Sequence, residues 1–507
     1  MYRLFFDIIK NNGLKDRVLR YNGKVFWLEK DFVMLLAKIL KDSTKDIEFN
    51  KTAVDSRKVE KGDLFAVFTG STELNRQYAE DAVRRGAAVI LTDDEKLFLS
   101  APVVCCKDAP LVLGEINKAL FQPLPAVFAA VTGTNGKTST VSFLRQIWDF
   151  AGFEAASLGT LGMRTKNKTE YTGWTTADNV TMFEKLCCAA REGVKYVAIE
   201  ASSHGLALHR LAGLKFKTVG FTNLTQDHLD FHKTMENYFL AKMKLFEDYA
   251  EDGATAVINA DIPEFARISE LCAARGLKVY AYGKQGNELR LVKQDLHQTG
   301  QSMDLEIFGR RYNIPLQITG SFQAWNALCA LGMALASGVD EETAVKALSV
   351  LKNPEGRMEL VGTTSKGACV YVDFAHTPDG IKNALESLRH HAEGKLWIVF
   401  GCGGNRDTTK RPKMGALAGQ LADEIIVTDD NPRFEDPAEI RKQIMAAVPK
   451  AHEIGCRTAA IKYAIEQAEK GDIILLAGKG HEEGQIVQGK VLPFNDKQEA
   501  LKNMKKA

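Results

Sequence analysis

The chain has 507 residues, 45% of them hydrophobic and 26% charged, and a net charge of +2. Such proportions belong to an ordinary soluble globular protein with core enough for about three domains. So small a charge, with no long basic run or basic helix, excludes a nucleic-acid partner.

In chain order, Met1-Tyr2-Arg3-Leu4-Phe5-Phe6-Asp7 is apolar only briefly, so neither a signal peptide nor a membrane span is expected. Short strands and helices then alternate: a strand over 63–68, a helix over 77–85 and a strand over 87–91. Phe121-Gln122-Pro123-Leu124-Pro125 reads as a linker. Strand patterns recur at 126–131, 196–199, 218–222 and 254–258 with helical patterns between them, which predicts a mainly parallel sheet. A third set follows Asn353-Pro354, with strands at 370–372, 397–400, 424–427 and 472–476. The expectation is an α/β fold of three domains, divided at 1–122, 123–351 and 352–507. Nine cysteines, an odd number without CxxC spacing, suggest free thiols in a reducing cytoplasm. The pairs Cys105-Cys106 and Cys187-Cys188 are read as core filling.

Between the strand at 126–131 and a helix over 138–150 stands Thr132-Gly133-Thr134-Asn135-Gly136-Lys137-Thr138. A strand, a glycine turn and a helix start in that order make a phosphate cradle. Backbone N–H groups face the anion, Lys137 adds a point charge, and Thr138 offers a hydroxyl to Mg²⁺. The loop is a short variant, since the general form would place a glycine where Val131 stands. Nucleotide triphosphate binding is predicted.

Other strands also end in chemistry, and in open α/β sheets such ends converge on a cleft. Glu200 closes an apolar strand, where a carboxylate is costly unless it is paired or binds a cation. His228, in Asn223-Leu224-Thr225-Gln226-Asp227-His228, follows the next strand. Together they could hold a second metal ion beside the phosphate loop. Further on come Asp373-Phe374-Ala375-His376, Gly401-Cys402-Gly403-Gly404-Asn405-Arg406-Asp407, Asp429-Asp430-Asn431-Pro432-Arg433 and Gly478-Lys479-Gly480-His481-Glu482. Arginines at strand ends suit planar recognition of carboxylates or phosphates.

With Gly356-Arg357-Met358-Glu359 added, the order and spacing of these motifs resemble the Mur ligases, ATP-dependent enzymes that form amide bonds in peptidoglycan precursors. The likeness spans 52–490 and is strongest to the branch adding the third residue of the peptide stem. Asp430-Asn431-Pro432-Arg433 is similar to the string of members selecting meso-diaminopimelate; lysine-adding members typically lack the arginine. The resemblance implies an N-terminal domain for the UDP end, a central ATPase and a C-terminal Rossmann-like domain for the amino acid. It implies that Ser56, in Asp55-Ser56-Arg57, lies on the uridine side, and that Thr175, Thr176, Ser203 and Arg210 meet the acceptor, UDP-MurNAc-L-Ala-D-Glu. Lys242 falls where the family has a carbamylated lysine, a carboxylate-like metal ligand beside Glu200 and His228. For ATP it implies Lys137, Thr138, Asn326, Arg357, Asp373 and His376. For meso-diaminopimelate it implies Arg406, Asn431, Arg433, Gly478 and Glu482, with Arg433 on the distal carboxylate and Glu482 on the distal ammonium.

The chain departs from the family at Thr175-Thr176-Ala177-Asp178, where proline usually follows the threonine pair, and over 70–78, which lacks an Asp-Gly common there. A monomer is expected. Three other readings stand beside this one: addition of L-lysine, a folylpolyglutamate-synthase-like or cyanophycin-type ligase, and a nucleotide-dependent scaffold without catalysis. The Asp55-Ser56-Arg57 motif and the 430–433 string oppose the second, and Lys137, Glu200, His228 and Lys242 oppose the third.

Overall fold

The computed structural model describes residues 17–21, 24–28, 49–297 and 299–505; the apolar patch at 1–7 lies outside them. The fold is α/β in three domains, each built on its own sheet. In the first sheet Thr52–Ala53, Leu64–Val67, Val89–Thr92 and Val103–Cys105 run parallel, and Arg17–Tyr21 and Lys24–Leu28 extend it antiparallel. Side chains alternate across such a strand. Leu64 and Ala66 therefore pack on helix Ala109–Leu120, while Phe65 and Val67 pack on helix Thr72–Arg84. That second helix starts five residues earlier than the periodicity predicts, because Ser71 caps it by accepting from the Leu74 N–H.

The central sheet has eleven strands. Six in its middle are parallel, in the order Ala155–Gly159, Tyr196–Glu200, Val127–Thr132, Phe216–Phe221, Ala250–Asn259 and Lys278–Gly283. Glu200 and Gly220 both sit opposite Val131, so three strands end level. At the edges, the antiparallel pair Gly162–Thr165 with Thr169–Glu170 and the meander Leu289–His297, Gly300–Ile307 and Arg310–Leu316, whose first strand still runs parallel to Lys278–Gly283, left no clear signal in the sequence pattern. One face carries helices Lys137–Phe150 and Gln323–Ala336, which bury Phe143, Leu144, Ile147 and Trp148 against Ala327, Leu328 and Leu331.

The third sheet is parallel through Cys369–Asp373, Ile473–Ala477, Leu396–Phe400, Glu424–Val427 and His452–Glu453, with Glu359–Thr363 antiparallel at its edge. Helices Pro378–Arg389, Lys410–Leu421 and Pro437–Met445 cover one face, and Arg457–Gln467 and Asp496–Met504 the other. This is the doubly wound arrangement expected of a Rossmann-like domain. All nine cysteines are free. Cys105, Cys106 and Cys187 fill cores, but Cys188 is exposed, which corrects the sequence reading. Neighbours on a helix point about 100° apart, so only one of the 187–188 pair can face the sheet.

A buried histidine joins the central and C-terminal domains. His391 Nε2 accepts from the Gly320 N–H at 3.1 Å, and its Nδ1 meets the His297 carbonyl at 2.5 Å. Only the neutral ring with its proton on Nδ1 can do both. Burial lowers the His391 pKa. The undocked form therefore takes up a proton first, so docking is strongest above the ordinary histidine value and weakens as pH falls through it. Hydrogen exchange at Gly320, corrected for intrinsic rates, should speed up between about pH 7.5 and about pH 5.5. Unchanged protection across that range would contradict this role for His391.

Candidate active site

The phosphate loop is shaped by two glycines in the left-handed region, Gly133 at φ 144° and Gly136 at φ 86°. A Cβ at Gly133 would lie 2.0 Å from Thr222 Oγ1, and one at Gly136 would lie 2.2 Å from Asn326 Oδ1. The loop is thus seated between a strand end and a helix N-terminus, and Asn326 reaches it directly. Asn223 takes two of its donors: the Thr134 N–H reaches the Asn223 carbonyl and the Asn135 N–H its Oδ1, both at 2.9 Å. The first helical turn, from Gly136 to Thr138, supplies the N–H groups that remain for an anion. Lys137 Nζ folds back onto the Gly133 and Thr134 carbonyls at 3.0 and 2.8 Å. Burial lowers its pKa, against an opposing pull from Glu200.

Glu200 is buried where its strand ends. One oxygen accepts from the Thr160 N–H at 2.9 Å; the other accepts from the hydroxyls of Thr138 at 3.0 Å and Thr160 at 3.2 Å. Burial raises the Glu200 pKa, and the Lys137 charge opposes the shift. A carboxylate so desolvated, with no ion pair among the described residues, is an apt ligand for a divalent ion, and the Thr138 hydroxyl lies at the same point.

Lys242, on helix Met235–Lys244, is 1% exposed. Its Nζ donates to the Gly133 carbonyl at 2.8 Å and sits 4.2 Å over the Tyr238 ring. Burial, then the Lys137 charge, push its pKa well below the ordinary value. Tyr238 also bonds the Thr134 hydroxyl at 3.2 Å, and the His228 ring stands 6.2 Å from it. His228 itself is half-exposed, 3.4 Å from Asp227 and edge-on to His204 at 4.7 Å. His228 and Lys242 therefore meet at Tyr238, while no hydrogen bond or ion pair links either to Glu200 among the described residues.

Across the domain junction, Asp373 accepts from the Met358 and Ala375 N–H groups at 2.7 and 2.8 Å. Arg357 lies 5.1 Å over the Phe374 ring with its buried Nε unpartnered. The exposed His376 sets Nδ1 2.8 Å from the Phe374 carbonyl.

The 430–433 loop forms a second polar centre. Hairpin Gly484–Val487 with Lys490–Pro493 clamps it: the Ile486 N–H donates to Asn431 Oδ1, the Arg433 N–H to the Ile486 carbonyl, and Gln485 Nε2 to the Asp430 carbonyl. These bonds hold Arg433 at φ 54°, a backbone state uncommon outside glycine. Arg433 Nη1 donates to the Gly404 carbonyl at 2.9 Å, leaving Nη2 and Nε for a ligand. Asn431 Nδ2 donates to Glu482 Oε2 at 2.9 Å. Asn431 thus links two groups of this loop: its side chain holds Glu482, and its carbonyl lies 3.5 Å from Arg433 Nη1. Gly478 is needed close by, since a Cβ there would lie 2.7 Å from Asp430 Oδ2. Pro432 packs buried in the loop, but Arg406 is exposed and makes no hydrogen bond or ion pair among the described residues.

Residues 131–334 match the Mur ligase middle domain, and 356–480 the Mur ligase glutamate ligase domain. The chain is 45% identical over 463 residues to the UDP-N-acetylmuramoyl-L-alanyl-D-glutamate--2,6-diaminopimelate ligase of Zymomonas mobilis, covering 90% of this chain and 95% of that relative. The chain belongs to the Mur ligase family. A ligase of the same name from Caulobacter vibrioides is 46% identical over 454 residues, covering 88% of this chain and 93% of the relative. A solved structure of a ligase with that name superposes with a TM-score of 0.69 at 32% identity, covering 90% of this chain and 95% of that one.

In this Mur ligase Thr175 and Thr176 are tied to the strand end that carries Glu200 and to the neighbouring Thr160. The Thr175 and Thr160 hydroxyls bond each other at 3.1 Å, and Thr176 Oγ1 donates to the Glu200 carbonyl at 2.7 Å. Arg210 Nη1 donates to the Thr176 carbonyl at 2.8 Å, with its guanidinium 5.2 Å over Trp174. Ala177 follows the pair, and next to it Asp178 caps helix Asn179–Arg191 by accepting from the Thr181 N–H at 3.0 Å. Ser203 is buried and its hydroxyl has no partner. Ser56 lies apart, in the first domain, where its hydroxyl bonds the Asp81 carboxylate. Thr160, Tyr238 and Gln485 were not foreseen. Each belongs to the site largely through contacts with residues far away in sequence, and no motif marks them.

Proposed function

We propose that this Mur ligase joins meso-diaminopimelate to UDP-N-acetylmuramoyl-L-alanyl-D-glutamate at the expense of ATP, releasing ADP and phosphate. It is an acid–amino-acid ligase of peptidoglycan precursor synthesis. The observation that carries the choice of amino acid is the second polar centre. Donors on Arg433 and Asn431 suit a carboxylate, and the adjacent Glu482 oxygen suits an ammonium, which together describe the distal end of a diamino diacid.

The first-turn N–H groups and Lys137 receive the phosphates of ATP and stabilise charge as the γ-phosphoryl group moves. The acceptor carboxylate, held by the Thr175–Thr176 patch and Arg210, attacks that phosphorus, and ADP leaves. The amino group of the incoming amino acid then attacks the carbonyl carbon of the acyl phosphate and loses a proton. The C–O bond breaks, and phosphate departs with the electron pair. Arg357, Asp373 and His376 approach the nucleotide from the C-terminal domain, which also shields the acyl phosphate from water. Thr138, Glu200, His228 and a carbamylated Lys242 would hold Mg²⁺, which supplies charge neutralisation at the phosphoryl oxygens. Free thiols suit a reducing cytoplasm, and no described helix is long and apolar enough to cross a membrane.

Phosphate release with the UDP-linked dipeptide and a panel of meso-diaminopimelate, L-lysine and L-ornithine tests the reaction. Turnover with L-lysine as good as with meso-diaminopimelate would refute the assignment. A lowered lysine pKa provides the neutral amine that adds CO₂ and sheds a proton to become a carbamate. Incubation with ¹³C-bicarbonate should therefore give a carbamate resonance in the wild type that is absent from Lys242→Ala; its absence from both removes the carbamate.

A further inference from the structure

Directly beneath the second polar centre lies a lysine that no substrate can reach. Lys479 is 0% exposed, yet its ammonium donates to Glu482 Oε2 at 2.8 Å and lies 3.2 Å from Asn431 Oδ1. Its turn drives it inward. Gly478 at φ 115° and Gly480 at φ 55° flank it, and a Cβ at Gly480 would lie 2.7 Å from Phe374 Cβ. A buried ammonium is tolerated only when paired, and both of its partners are side chains of the amino-acid site.

The bonding is asymmetric in a useful way. Asn431 Oδ1 accepts from Lys479 and from the Ile486 N–H, so the carboxamide cannot flip, and its Nδ2 must be the donor side, with one N–H on Glu482 Oε2 and the other left for a ligand. Glu482 Oε2 accepts from Lys479 and from Asn431, so its other oxygen is the one left for a ligand. The carboxylate is also half neutralised from behind, so it meets an incoming ammonium already oriented.

We propose that Lys479 is the positioning residue of the amino-acid site: from the interior it fixes the Asn431 carboxamide and one Glu482 oxygen, so that one donor and one acceptor face the distal end of a diamino diacid. The proposal rests on the reading that Asn431 and Glu482 contact that end. Lys479 touches no substrate itself. Without it, the carboxamide is free to turn, and Glu482 is free to swing towards solvent or its neighbours.

The test is steady-state kinetics on the full chain with Lys479→Met and Glu482→Gln, singly and together. Each protein is first checked by its melting temperature and ADP binding. Loss of a charge-assisted hydrogen bond predicts that Lys479→Met raises the KM for meso-diaminopimelate about tenfold or more. Its kcat and its KM for ATP and for the UDP-linked dipeptide should stay near wild type. The preference for meso-diaminopimelate over 2-aminopimelate, which lacks the distal amine, should collapse. The double variant should fall well short of the product of the two single effects, because Lys479 acts in part through Glu482. A lowered melting temperature with the KM and the preference intact would overturn the proposal, as would multiplicative effects in the double variant. Lys479→Gln, close in volume and still a donor, is read the same way if the methionine variant does not fold; failure of both to fold makes Lys479 a stability residue and overturns the proposal. If Glu482→Gln leaves the KM for meso-diaminopimelate unchanged, the amino-acid-site reading fails. If it raises that KM while Lys479→Met does not, only the role of Lys479 fails.

Discussion

Arg433→Ala raises the KM for meso-diaminopimelate by a factor corresponding to about 2–5 kcal/mol, the cost of leaving one partner of a desolvated charge pair alone. The main chain should survive the change. Its bonds to Ile486 and Gln488 are made by backbone atoms, and Nη1 reaches two carbonyls, Gly404 at 2.9 Å and Asn431 at 3.5 Å. The loss should therefore appear in recognition of the amino acid rather than in folding or ATP use. L-Lysine, which lacks the distal carboxylate, is the control: its turnover should change little, so the ratio of the two kcat/KM values collapses. A variant that uses meso-diaminopimelate as well as the parent does would remove Arg433 from the site.

Lys137→Ala should lower the rate of phosphate release by on the order of a hundredfold to a thousandfold, as expected when one preorganised donor to a developing charge is removed. In the structure its ammonium rests on the Gly133 and Thr134 carbonyls, so it must leave them to meet a phosphate. The loop does not depend on it for shape. Asn223 ties the Thr134 and Asn135 N–H groups, and Thr222 Oγ1 donates to the Asn135 carbonyl at 2.6 Å. Calorimetry should accordingly find that meso-diaminopimelate and the UDP-linked dipeptide still bind the variant. Phosphate release at the wild-type rate would deny Lys137 its role.

Much of the site could be read because it is contiguous in sequence. Gly133 to Thr138 carries its glycines, cation and hydroxyl within a single turn, and strand–turn–helix order is a local property. Glu200 was visible as a charge ending an apolar strand, and Arg433 as a cation ending another. Lys242 gave no such signal: on a helix, its spacing resembles that of any solvated lysine, and only the family resemblance singled it out. Arg406 was legible as a motif position too, and it is exposed, with no hydrogen bond or ion pair among the described residues.

The sequence by itself determined most of the strands that end in site motifs, where the phosphate loop stands and which family the chain belongs to, because hydrophobic period, glycine placement and motif order are recorded residue by residue. Only the tertiary structure decided that Asn326 abuts Gly136, that Tyr238 gathers Lys242 and His228, and that His391 and Lys479 work from the interior. Most of these contacts join residues far apart along the chain. Their energies depend on burial and on mutual hydrogen bonding, which exist only after the sheets and helices have packed.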